Sequence, residues 1–383
     1  MYKFLLAGIL SALIFAWACG GVSGKSTPNS PGQNPTPQST EYLFVTHGTD
    51  TGISVFRVDA NSGTLAEVSG SPFAVVSAAH RQAVCQSGGS CDSVPRPLAA
   101  SPTGKFLYVI DPDKNGVRAF QINAATGALS SISNLAFDTG DGPQDIQVDP
   151  TGRFLYVDTI SPQAIAAFAI DANSGGLQSV VNSPFGTSEL PFLIAATNCC
   201  VYSSSTDQPG GVLAYRIDAG TGALSLINGS PFGAGQSTIA VAANASGDFV
   251  FAIDNTRNLL LTFRADSATG ALSASGTPVK VGDNPVDMIV AQSGFVYVST
   301  ADGISGYALD ATSGTLSVIP GMPMLTGAAM TADASGKFLF AVDASSNTIV
   351  TFSIGAGGVL TRVSATAAGT ADYVNMAVAV ASS

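Results

Sequence analysis

Asp145 and Asp287 hold the same place in two copies of an internal repeat, within Pro143-Gln144-Asp145 and Pro285-Val286-Asp287. A carboxylate within hydrogen-bond reach of a water can take its proton as the water attacks a carbonyl, so these two are the candidate catalytic groups. Facing one another, they could instead hold a water or a cation. The remaining supply of reactive side chains is sparse: two histidines, His47 and His80, and three glutamates, Glu41, Glu67 and Glu189. Arg96 and the pair His80-Arg81 suit an anionic or carbonyl group, and Asp111 and Glu189 complete the candidate binding set. Each also has a plainer reading, as a solvated or ion-paired side chain. The sequence shows no Ser-His-Asp arrangement, phosphate-cradling loop or dinucleotide fingerprint. No histidine stands at metal-ligand spacing from a cysteine. No cofactor and no metal are expected.

The elements that position these residues come from a phrase repeated along the chain. FQINAATGAL from Phe120 returns as FRVDANSGTL, FAIDANSGGL, YRIDAGTGAL, FRADSATGAL and YALDATSGTL, and in shortened form as FSIGAGGVL from Phe352. After a longer first interval the spacing is roughly 44 to 48 residues, the period of a β-propeller blade. Blade 3 shows the internal order: DIQV (145–148), turn DPTG, FLYV (154–157), IAAFAI (165–170), turn DANSGG, LQSVV (177–181). Apolar alternation, β-branched and aromatic content, and Asp/Gly punctuation predict four strands. In the phrase, Asp59, Asn123, Asp171, Asp218, Asp266 and Asp310 are expected to accept turn N–H groups, which makes them architecture. The prolines of Ser71-Pro72-Phe73, Ser183-Pro184-Phe185 and Ser230-Pro231-Phe232 are expected to end an edge strand, with the Phe packed between blades.

Seven units are counted. The chain enters the first at a second-type strand, YLFV from Tyr42, and ends on MAVAVA (376–381), an inner strand with nothing after it. The expected fold is therefore all-β: a seven-bladed propeller of four-stranded antiparallel blades over 42–383, closed by the C-terminal strand joining the N-terminal blade. Residues 74–95 read as an insertion loop. In such a ring, the connections from fourth to inner strands and from second to third strands gather at one channel mouth, where the candidate residues fall.

SPTGKFLYVID (101–111) and DPTGRFLYVDT (149–159), each followed by the repeated phrase, resemble the lactonase family of seven-bladed propellers, which includes 6-phosphogluconolactonase-like and YVTN-type members. The resemblance spans about residues 42 to 383. Members with lactonase activity carry Pro-Arg-His before an inner strand and a Glu after the next Tyr-Val. Here Pro95-Arg96-Pro97 keeps the arginine, and Tyr108-Val109 is followed by Ile110-Asp111. The resemblance implies two functions. One is a surface module binding a small molecule, a glycan or a protein through its loop face. The other is a hydrolase for a lactone or sugar-derived ester, with Arg96 on the carbonyl and Asp145 or Asp287 aiding water. A phosphorylated lactone would call for more cations than this mouth offers.

A net charge of −11 excludes the basic track that nucleic acid requires. Lys3 and the apolar run Phe4 to Ala18 read as an export signal over residues 1–19, and Ala16-Trp17-Ala18-Cys19-Gly20 resembles a lipoprotein cleavage box. Cys19 would then carry a lipid anchoring the protein to the membrane of the cell envelope. Ordinary cleavage to a periplasmic or secreted form is the alternative. Residues 20–41, rich in Pro, Ser and Gly, form a disordered tether. Outside the cytoplasm a Cys85–Cys91 disulfide is expected, whereas neighbours Cys199 and Cys200 could be a vicinal disulfide or two buried thiols. A monomer is expected.

Overall fold

The computed structural model describes residues 40–47, 52–74, 98–111, 114–133, 136–322, 325, 329–343, 346, 348–367 and 374–381. Among these, the strands assemble into seven antiparallel sheets. Blades 2 to 7 follow the chain, each starting at its inner strand: Leu98–Ala100, Asp141–Val148, Pro191–Ala196, Thr238–Ala243, Asp287–Val290 and Met330–Ala332. Blade 1 takes its inner strand from the far end: Val374–Ala381 lies antiparallel to Thr40–His47, in a register running from Thr40↔Ala381 to His47↔Val374. The seven inner strands touch in cyclic order, the seventh against Val374–Ala381 and that strand against blade 2. The ring is closed.

Burial follows position within the blade. The second strands Phe106–Asp111 and Phe249–Asp254 are buried at every residue, because each face meets a neighbouring blade. Burial on both faces is why these strands read as unbroken apolar runs. In the outer strands Leu177–Ser179 and Leu224–Leu226 only the first residue is buried. The apolar side chains form seven clusters, one in each seam between blades.

The turn of the repeated phrase is built as expected. Asp171 Oδ1 accepts the backbone N–H of Asn173 at 3.1 Å and of Ser174 at 2.7 Å, and the Ser174 hydroxyl at 2.8 Å. Asp59, Asp218, Asp266 and Asp310 repeat this, and Asn123 does so with Ala125 and Thr126. Hydrogen bonds from the residue three ahead hold these exposed carboxyls below their ordinary range.

The Ser-Pro-Phe triplets differ from expectation. Proline interrupts the edge without ending it: Phe73–Ala74, Phe185–Gly186 and Phe232–Gly233 resume pairing with their blades' third strands. The preceding serine bridges the break, its Oγ accepting the third-strand N–H of Val55 at 3.1 Å, Ala167 at 2.8 Å and Ala214 at 2.9 Å. The three Phe rings pack against the seam clusters. Blade 2 has an equivalent fifth strand, Phe137–Asp138, without the motif.

Candidate functional site

The inner strand of blade 3 slips register between Pro143 and Ile146, and this irregularity turns Asp145 out of the regular ladder. Asp145 is buried and its Oδ2 accepts the backbone N–H of Ile194, in the inner strand of blade 4, at 2.9 Å. Asp287 does the same one seam after blade 6: Oδ1 accepts from Met288 N at 2.8 Å, and Oδ2 from Met330 N, in blade 7, at 2.7 Å. A buried carboxylate bonded to a neighbour's main chain joins two blades. The two aspartates thus each bond across a different seam, Asp145 between blades 3 and 4 and Asp287 between blades 6 and 7.

Asp111 ends the second strand of blade 2, buried, and pairs with Arg118 Nε at 2.5 Å. The Arg118 side chain, on the third strand, is 21% exposed. Glu189 lies on the connection from blade 3 to blade 4, half-buried, with Thr187 Oγ1 donating to its carbonyl at 2.7 Å. Its Oε2 is enclosed with no hydrogen-bond partner. Arg96, His80, Arg81, Cys19, Cys85 and Cys91 lie outside the described residues. Cys199 and Cys200 are joined as a disulfide at the turn between the inner and second strands of blade 4. Among the described residues, no three His, Cys, Asp or Glu side chains gather as a metal site.

Two features escaped the sequence reading. Asp158, in the second strand of blade 3, is wholly buried and its Oδ2 accepts the hydroxyl of Ser203, in blade 4, at 2.7 Å. Burial holds its carboxyl well above the usual range, against the pull of the Ser203 hydroxyl, and the charge of Asp145 adds to the rise. The blade 3/4 seam therefore contains two carboxyl groups. The second feature is a repeat of the Asp111–Arg118 pair: in blade 5, Asp254 is buried and its Oδ2 meets Arg257 Nε. Asp254 also accepts the N–H of Thr256 at 3.0 Å, and the Arg257 side chain is half exposed. The signal was present, since FLYVID and FVFAID both end in Asp ahead of a hairpin with an arginine at or just beyond it. Because the blades are antiparallel, all hairpins from second to third strand leave the ring at one end. Both arginines belong to that end, each fixed by a buried carboxylate that limits its rotamers.

Seven sheets arranged in a closed ring define a seven-bladed β-propeller, with two anchored arginines at the end where its second-to-third-strand hairpins lie. Residues 97–189, blades 2 and 3 into the following connection, match the family model described as Lactonase, 7-bladed beta-propeller. Over that stretch the chain is similar to the lactonase family. No curated protein matches it. Solved structures share the fold. A candidate 6-phosphogluconolactonase from Bacteroides uniformis superposes with a TM-score of 0.69 at 16% identity, covering 89% of this chain and 100% of that one. Another from Bacteroides fragilis gives 0.68 at 18%, covering 90% and 100%. The periplasmic gluconolactonase PpgL of Pseudomonas aeruginosa gives 0.65 at 14%, covering 88% and 99%.

Proposed function

We propose that this propeller binds a lactone or sugar-derived ester at the hairpin face and opens the ring by hydrolysis. The observation carrying the reading is the Asp111–Arg118 pair, which lies inside the stretch matching the lactonase model. A guanidinium held by a buried carboxylate is oriented before substrate arrives, so it can polarise a carbonyl without a reorganisation cost. Water then adds to the carbonyl carbon, the ring C–O bond breaks, and the product is a hydroxy acid. Arg257 is a second cation of the same kind, suited to the product carboxylate or to an anionic substituent.

A surface-anchored binding module is the second reading, favoured by a specific observation: Asp145 and Asp287, the expected helpers of water, are buried and bonded to neighbouring main chains. Export and lipid attachment through Cys19 belong to the proposal under either reading, supported by the N-terminal sequence. PpgL, by its name a periplasmic gluconolactonase, shares this fold and is consistent with the proposal. Hydrolysis of a lactone panel, followed by acid release at constant pH, separates the two. The enzyme reading expects turnover with kcat/KM lowered at least about tenfold in Arg118→Gln, the loss of one charge-assisted hydrogen bond. Stabilisation by lactones or glycans without acid release supports the binding module, and no response of either kind removes both.

A further inference from the structure

The glycine of the repeated phrase lies, in each seam, against a residue at or near the start of the preceding blade's second strand. Gly127 lies on Tyr42, Gly175 on Phe106, Gly222 on Phe154, Gly314 on Phe249, Gly358 on Phe295 and Gly63 on Phe338. A methyl group at any of these glycines would overlap the ring. The seam between blades 4 and 5 is the exception: Gly270 lies on Cys200 Sγ, and the ring is missing. The turn before it is shorter too. Blade 3 runs from Asp149 to Phe154 and closes with Asp149 N–H on Phe154 O at 2.9 Å. Blade 4 makes the same closure from Thr197 to Cys200 at 2.8 Å. Cys199 packs against the apolar cluster of this seam, and Cys200 is fully buried within it. The cystine therefore fills a slot that an aromatic side chain fills in the other six seams.

We infer that Cys199–Cys200 is a thiol-exchange site through which a dithiol reductant loosens the blade 4/5 seam. Access is one-sided, since Cys199 is half-buried and Cys200 is not exposed at all. A thiolate of the reductant attacks Cys199 Sγ, forming a mixed disulfide and releasing the Cys200 thiolate, which takes a proton. The reductant's second thiol then closes on its own sulfur and releases Cys199 as a thiol. Two electrons and two protons reach the protein, and the reductant leaves as a disulfide. The products are two separate small side chains on a short turn, in a slot that needs the volume of a ring. The seam's latch, Tyr202 OH donating to Gly270 O at 3.0 Å, lies beside them.

The test treats the full chain with dithiothreitol, maps alkylated cysteines by peptide mass, and follows amide exchange seam by seam. Alkylation at Cys199 and Cys200 only after reduction is expected, with exchange around Tyr202, Ile227 and Gly270 rising at least about tenfold through local opening. The Tyr108–Gly175 seam should not change. Cys199→Ala/Cys200→Phe, which restores a ring to the slot, should show no response to reductant at this seam. Alkylation of both residues before reduction, resistance to the dithiol, unchanged exchange after reduction, or equal loosening of all seams would each overturn the inference.

Discussion

Glu41 is a carboxyl whose charge the ring resists as pH approaches neutrality. It is 8% exposed, at the start of the second strand of blade 1, and accepts the N–H of Ala334 in blade 7 at 2.9 Å. Burial raises its pKa from 4.5 to about 7, the Ala334 N–H opposes the rise, and the charge of Asp333 adds to it. An acid that holds its proton more tightly when folded loses stability as pH rises from the unfolded to the folded value. Between about pH 4.5 and 7 the ring should therefore lose up to about 3 kcal/mol on this account. Asp158, also raised, adds a loss of the same sign starting near the ordinary Asp range. The exposed turn aspartates are shifted downward, so their contribution is present above the ordinary value and fades as pH falls below it. Urea unfolding across pH 3 to 8 should show greatest stability in mildly acidic buffer. Glu41→Gln should remove much of the decline between pH 4.5 and 7, and Asp158→Asn the remainder; a flat profile in the parent chain would contradict both assignments. The turn aspartates were legible in the sequence because their donors lie two and three residues ahead. Asp145 was legible only as a carboxylate near the mouth. Its donor, Ile194, is 49 residues away on another blade, and no local pattern announces that.

Strand by strand, the repeat does more than make turns. The tyrosine of each YV-type second strand donates to a carbonyl in the next blade's phrase: Tyr108 to Gly175 at 3.1 Å, Tyr156 to Gly222 at 3.1 Å, Tyr202 to Gly270 at 3.0 Å and Tyr297 to Gly358 at 2.8 Å. Tyr42 reaches Ala124 O at 3.3 Å. Burial pushes these phenols upward, Tyr202 to about 12, so they remain donors throughout the working pH range. Blades 1, 5 and 7 have Phe44, Phe251 and Phe340 at this position and no hydroxyl to offer. Tyr156→Phe should lower stability by about 1 kcal/mol, the usual net value of one such bond. Gly222→Ala should cost more, about 2 kcal/mol or above, since its φ of 78° disfavours a side chain and the Phe154 ring occupies the space. Equal losses from the two variants, read from denaturant midpoints, would mean that the glycine acts through its turn alone. Turn chemistry was the part of this glycine's role that the sequence exposed; the ring across the seam belongs to a segment about 70 residues earlier, on the order of one and a half blade periods. The Ser-Pro-Phe triplets were half-read for the same reason, because the third-strand N–H groups that the serines accept lie 16 residues back.

For the molecule as a whole, closure was the most legible feature, because a strand lacking a partner at each end of a repeat array has one economical solution. The site was the least legible, because a propeller mouth draws single residues from many loops, and the partners of Asp145 and Asp287 lie on other blades. The closing pair Thr40–His47 with Val374–Ala381 also sets how the ring fails. The inner strand of blade 1 touches the inner strands of blades 7 and 2, so its removal breaks two seams and bares the long edge of Thr40–His47. An uncovered strand edge offers unpaired N–H and C=O groups to another chain. A chain ending at residue 373 should therefore give up its single sharp thermal transition, unfold in at least two steps with blades 7 and 1 first, and associate in a concentration-dependent way during size-exclusion chromatography. Amide exchange would place the early step: protection should fall at Phe338–Asp343 and Thr40–His47 while Phe249–Asp254, across the ring in blade 5, keeps its protection. A truncated chain that stays monomeric and melts in one step at the parent temperature would show that the seven seams hold each blade independently and that the terminal strand adds only length.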